Sequence, residues 1–211
     1  MSQRGLAWGV YLITFLSGAV VMAFEILGSR VLAPFFGNSI FVWGSLISVF
    51  MLGLAAGYYA GGLLSSRGSS FRGLALLLFA PAVLISFFPV YAWPICESLF
   101  DLDLGQRLGP LMASLCLFTL PTAFLGTVSP YTVQLLVRDQ RLAGQGAGNL
   151  YAISTCGSIL GTIGTSFFLI LWLGTKACMT LLGTVLLFLV VASWVCDLLA
   201  ARPKGQNQRL G

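Results

Sequence analysis

Glu25 is the one carboxylate inside the first apolar run of the chain. A carboxylate in hydrocarbon is costly and is rarely kept without a partner or a task. Three uses fit it. It can pair with an amine or guanidinium on a ligand. It can titrate. It can hydrogen-bond in neutral form to a neighbouring helix and fix packing. Gly18, Val21, Gly28 and Ser29 stand one or two helical turns away on its side. The glycines and the serine open space there, which suits an interior face better than lipid. Arg30 follows about 140° around the helix, so it is a poor same-helix partner for Glu25. It is expected to meet another helix or the headgroups.

Other chemistries lack their residues. There is no histidine, which removes His-dependent triads, relays and haem ligation. The cysteines Cys96, Cys116, Cys156, Cys178 and Cys196 are scattered and form no CxxC pair, so they predict apolar packing rather than a metal site or a disulfide framework. The run Gly144-Gln145-Gly146-Ala147-Gly148 has no following Lys-Ser/Thr and no preceding strand, so it is not a phosphate loop. No catalytic residue, metal or cofactor is expected in this chain.

The elements that hold Glu25 must be membrane helices. At 58% hydrophobic, 8% charged and mean hydropathy +0.95, the composition excludes a soluble domain. The runs predict an all-α polytopic bundle of six transmembrane helices at 9–30, 39–64, 73–96, 110–137, 149–173 and 176–200. Each is long enough to cross about 30 Å of hydrocarbon. They make one domain over 1–200, with a short basic tail over 201–211. The start of the chain has an Arg4 before its apolar run, as a signal peptide would, but the run is long and contains Glu25. It is expected to be a retained first helix.

Lys and Arg set the orientation. With the N-terminus inside, Arg4, Arg67, Arg72, Arg138, Arg141, Arg202, Lys204 and Arg209 are cytoplasmic, and only Arg30, Arg107 and Lys176 are outside. That asymmetry predicts N-in and C-in. Trp8 and Trp194 then lie toward inner ends, and Trp43, Trp93 and Trp172 toward outer ends. The net charge of +5 reads as topology and contact with anionic membrane lipid, not as nucleic-acid binding. Asp197 is expected to be satisfied near Arg202.

Two helices carry smooth stripes. Gly53, Gly57 and Gly61 repeat every fourth residue in the second, and Gly157 and Gly161 stand among Ser154, Ser158 and Thr165 in the fifth. Such stripes admit close backbone approach, and these two helices are expected to pack at the centre of the bundle. Pro81, Pro89 and Pro94 fall in the third helix, and Pro121 and Pro130 in the fourth. The groups they free near Gly126, Thr127 and Ser129 either line a polar cavity or are repaired by the Thr119, Thr122 and Thr127 hydroxyls. Asn149 is expected to cap the fifth helix after its glycine-rich run.

Several motifs recur in a familiar order. They are Glu25-Ile26-Leu27-Gly28-Ser29-Arg30 with Pro34-Phe35-Phe36-Gly37, then Trp43, then Leu52-Gly53-Leu54-Ala55-Ala56-Gly57-Tyr58. Gly126-Thr127-Val128-Ser129-Pro130, Gly148-Asn149-Leu150-Tyr151-Ala152 and Gly157-Ser158-Ile159-Leu160-Gly161 follow. In this order they resemble the membrane portion of the spermidine-synthase-like integral membrane proteins, some of them fused major-facilitator/spermidine-synthase proteins. The six helices also resemble half of a major-facilitator transporter. Ser65 and Ser66 stand where that superfamily's loop would carry an Asp-Arg pair.

The resemblance implies a small amine, such as a polyamine, as ligand. Glu25, Arg30, Trp43, Ser129, Asn149 and Tyr151 are the candidate ligand-binding residues. It also implies a cytosolic aminopropyltransferase-like domain, which these residues do not contain, so that activity is not expected of them. A separate chain could supply it, docked on the basic inner loops. The readings left open are an amine-binding or anchoring module, a half-size transporter completed as a homodimer, and a structural subunit of a larger membrane complex. The expected location is the bacterial inner membrane.

Overall fold

The computed structural model describes residues 3–136 and 143–200. Among these the chain is helical with short connections. The helices are α1 (Gln3–Phe36), α2 (Ile40–Ser66), α3 (Phe71–Asp101), α4 (Gly105–Leu136), α5 (Ala143–Gly164) and α6 (Ile170–Ala200). A single π-helical turn, Thr165–Leu169, joins the last two. Five helical stretches are long and apolar enough to cross a membrane, and the last of them, Gly144–Leu199, runs through α5, the π turn and α6. The chain is thus an all-α protein suited to a helical membrane bundle.

The last stretch does not run straight. Gly174 has φ 72° and ψ 168°, which breaks α6 near its start. Beyond it the chain folds back, so that Gly161 and Thr165 share a groove with Leu182 and Val185. The break falls between the runs predicted to end at 173 and to resume at 176. Gly37 and Gly105 also have positive φ and lie at the ends of α1 and α4. These three glycines mark one face of the bundle, called here the Gly37 face. Gly68, between α2 and α3, marks the opposite face.

Helix ends differ from the predicted spans where local signals were weak. α1 continues past Arg30 to Phe36, because Pro34 costs it only one internal donor. It stops where Gly37 turns left-handed and its N–H closes on the Ala33 carbonyl at 3.0 Å. α3 starts at Phe71, capped by Ser70, whose hydroxyl accepts from the Gly73 N–H at 3.0 Å. α5 starts at Ala143, so Asn149 lies inside the helix and is not its cap. The glycine-rich run is itself helical. Residues 137 and 138–142 lie outside the described residues, as do Arg202 and the rest of the tail.

Four phenylalanines from four helices fill the middle. Phe24, Phe50, Phe88 and Phe118 are fully buried, one each from α1 to α4. Phe24 meets the other three at centroid separations of 5.2 to 5.6 Å. Tilted and edge-on pairs at this range are favourable for ring quadrupoles. With no water to expel, such packing supplies most of the attraction between membrane helices.

Each glycine stripe admits a close backbone, as expected, from a helix that the sequence did not name. Gly53, Gly57 and Gly61 lie against Thr122, Gly126 and Pro130 of α4. Gly157 and Gly161 lie against the Phe15 and Ala19 carbonyls of α1. Among the described residues the backbones of α2 and α5 do not approach each other. Each stripe admits a backbone, but a stripe does not name its partner. The prolines do not break α3 or α4, which run helical through all of them. Thr127 bonds the Phe124 carbonyl at 2.7 Å, a group that neither Pro121 nor Pro130 frees, and Thr119 and Thr122 have no partner among the described residues, so the hydroxyls do not repair the freed carbonyls.

Arg202 lies outside the described residues, and Asp197 pairs with Arg72 of α3 at 2.6 Å. Beside it Ser193 donates to the Phe71 carbonyl at 2.8 Å. Cys96 and Cys178 are buried as packing residues, whereas Cys116 and Cys156 are exposed.

Candidate functional site

α1 positions Glu25. The residue shares a helix face with Gly18, two turns earlier. At Gly18 that face is closed by α5, where an added Cβ would strike Ser154 and where Ser158 Oγ donates to the Gly18 carbonyl at 3.1 Å. α5 then slants across α1. Its Gly161 and Thr165 share a groove with Ala19 and Ala23, on another side of α1. By the level of Glu25, α5 no longer covers the Gly18 face. On the other flank, Gly28 rests against Leu46 of α2 and Phe118 of α4. Glu25 therefore stands half-buried in the sector between α2 and α5, two helices whose backbones stay apart among the described residues.

Its carboxylate has no hydrogen-bond or ion-pair partner among the described residues, where Arg72–Asp197 is the ion pair found. Ser29, one turn on, turns its hydroxyl to the Ile26 carbonyl at 2.8 Å and leaves Glu25 alone. The helix pairings set its depth. Trp43 and Trp93 come level with about Val31 of α1, while Trp8 lies about 23 residues, or about 34 Å, away. That separation is close to the thickness of a bilayer's hydrocarbon core. Glu25 sits about 9 Å inside the Trp43 and Trp93 level.

The six candidate residues fall into two groups. Glu25, Arg30 and Trp43 lie toward the Gly37 face. Trp43 is half-buried and donates Nε1–H to Asn38 Oδ1 at 2.9 Å, and Arg30 is exposed. Ser129, Asn149 and Tyr151 lie toward the opposite face, with Asn149 and Tyr151 exposed on α5. Since Gly18 is level with Ser154, Glu25 and Asn149 are about 18 Å apart along the helices. One small ligand cannot touch both groups.

Two cavities open on the Gly37 face. The larger, about 730 Å³, is a bowl between the α1–α2 and α3–α4 connections, floored by Phe36 and Phe100 and rimmed by Asn38, Asp103 and Gln106. The smaller, about 200 Å³, lies between α1, α3 and α6 and is lined by both Arg30 and Lys176. Neither is legible in the sequence, because their walls come from segments far apart in the chain. No group of three His, Cys, Asp or Glu side chains among the described residues is placed to hold a metal. No protein-family model, no curated protein and no solved structure matches the chain.

Proposed function

We propose that this chain is a non-catalytic integral membrane module that binds a small amine through Glu25. The observation that carries the reading is a half-buried carboxylate, without a partner among the described residues, in an open sector of the bundle about two turns inside the aromatic belt. A carboxylate kept there gains most from a cationic ligand that enters from the open side. The motif order from Glu25 to Gly161 supports membership of the spermidine-synthase-like membrane family, and it makes polyamines the amines to try first. The reversal at Gly174 and the Lys/Arg asymmetry support six crossings with both termini inside, in a bacterial inner membrane.

The test is thermal stabilisation of the detergent-solubilised protein by spermidine, putrescine and nucleosides, in wild type and Glu25→Gln. Ligands that bind the native state raise its apparent stability by mass action. A polyamine shift in the wild type that the variant loses supports the reading. No shift with any compound moves the weight to a structural subunit, with Glu25 reserved for a neighbouring helix of a larger complex.

A second reading is favoured by the same open sector. Two copies apposed there would enclose both Glu25 side chains, as the two halves of a transporter enclose a path. Flux of a polyamine in proteoliposomes, abolished by Glu25→Gln, would support it, and absence of flux from the wild type would remove it. Anchoring of a cytosolic transferase at the face with Arg67 is the remaining role, and copurification in mild detergent tests it.

A further inference from the structure

The groove between α1, α3 and α6 has a composition that the amine reading does not use. Its walls are apolar: Pro34, Phe88, Ala92, Trp93 and Met179. Its polar members are Arg30, Thr175 and Lys176, and no carboxylate lines it. Both cations are exposed, and neither has an ion-pair partner among the described residues. Arg30 comes from the end of α1 and Lys176 from the start of the helix after Gly174, so the fold brings two like charges to one rim. A rim of one sign of charge draws an anion to it.

The Gly37 face is poor in cations, which makes the pairing more telling. Its described cations are Arg30, Arg107 and Lys176. Arg107 is occupied, with its guanidinium carbon 5.5 Å from the centre of the Phe41 ring. The other two share one groove. Trp93 places that groove at the level where headgroups meet acyl chains. A guanidinium fork and an ammonium above an apolar slot match a phosphate with hydrocarbon attached. A free phosphate would use the rim and leave the slot without an occupant.

We propose that this groove binds an anionic phospholipid of the surrounding bilayer, with its phosphate between Arg30 and Lys176 and the start of an acyl chain against Trp93 and Met179. The proposal needs the chain to lie in a membrane but does not need Glu25 to bind an amine. Basic pockets between membrane helices on the cytoplasmic side take acidic headgroups, and the same charge pairing would serve on the Gly37 face.

The experiment is native mass spectrometry, with a parallel thermal shift, on the detergent-purified full chain. The probes are phosphatidylglycerol, phosphatidylcholine and inorganic phosphate. The proteins are the wild type, Arg30→Gln, Lys176→Gln, the double variant and Arg107→Gln. Phosphatidylglycerol is expected to stay bound and to stabilise the wild type, with phosphatidylcholine and phosphate doing neither. Each groove variant should weaken retention by about fivefold, the double variant should lose it, and Arg107→Gln should keep it. Glu25→Gln should retain the lipid fully, which separates failure here from failure of the amine site.

Equal retention of phosphatidylcholine would overturn the proposal, as would undiminished retention by a folded double variant. A shift reproduced by inorganic phosphate alone would overturn the lipid in favour of a free anion. Because both substituted residues are exposed, the variants should fold. Their unliganded melting temperatures check this directly.

Discussion

Arg72 Nε donates to Asp197 Oδ2 at 2.6 Å and ties the start of α3 to the end of α6 across 125 positions of sequence. Asp197 is largely covered and Arg72 is 60% exposed. Water therefore screens the pair strongly. In a double-mutant cycle of Arg72→Gln and Asp197→Asn, the coupling is expected to be about 0.5–1 kcal/mol, falling as salt is added. Melting temperatures in detergent at low and high salt would check it. A coupling above about 2 kcal/mol would mean the pair is far better shielded than its exposure implies.

Gly57 and Gly62 should answer the same substitution in opposite ways. A Cβ at Gly57 would strike the Ala123 carbonyl and the backbone of Gly126, whereas one at Gly62 meets nothing within 4 Å. Gly57→Ala must push α2 off α4 and should cost roughly 1–3 kcal/mol. Gly62→Ala keeps a helical conformation in open space and should be neutral or stabilising by about 0.5–1 kcal/mol. Thermal denaturation of the two variants side by side decides it.

Glu25→Leu is expected to stabilise the isolated chain. The substitution removes an unpartnered carboxylate from apolar surroundings, for a gain of roughly 1–3 kcal/mol in the absence of ligand. A loss of stability would show that Glu25 holds a neighbouring helix, in this chain or in a second copy. The readout is the melting temperature of ligand-free protein.

Ser70 carries two bonds at the α2–α3 turn. Its hydroxyl accepts from the Gly73 N–H, and its own N–H donates to Tyr131 Oη at 3.1 Å. Ser70→Ala and Tyr131→Phe each remove one of them. Each should cost about 1 kcal/mol. Hydrogen exchange should quicken at the first turn of α3 in Ser70→Ala while the Phe24 core keeps its protection.

The apolar runs, and the gap between 173 and 176 in which Gly174 falls, were legible because they are local, whereas the end of α1 at Gly37 lies past the predicted end at 30. A gap between two hydrophobic stretches needs no knowledge of the rest of the chain. Asn149 misled because a run of glycines usually signals a loop, whereas here it is helical within α5. The stripes of α2 and α5 promised close approach without naming a partner, and the partners are α4 and α1. That Asp197 is a satisfied charge was legible, but its partner among the described residues, Arg72, comes from another helix, 125 positions away. The meeting of Arg30 with Lys176 was beyond sequence for the same reason. The half-buried position of Glu25 follows from the slant of α5 over Gly18, and no spacing encodes a slant.

The glycine turns also bear on how the chain enters its bilayer. Between α1 and α2 stand only Gly37, Asn38 and Ser39, and between α3 and α4 only Leu102, Asp103 and Leu104. In the orientation proposed above, those short links are the segments that must be translocated, and Asp103 is the one charge within them. Each pair of helices can therefore enter as a preformed hairpin whose apolar arms carry a small polar tip across. Synthesis and insertion could proceed two helices at a time, with the basic segments left behind on the side where they were made.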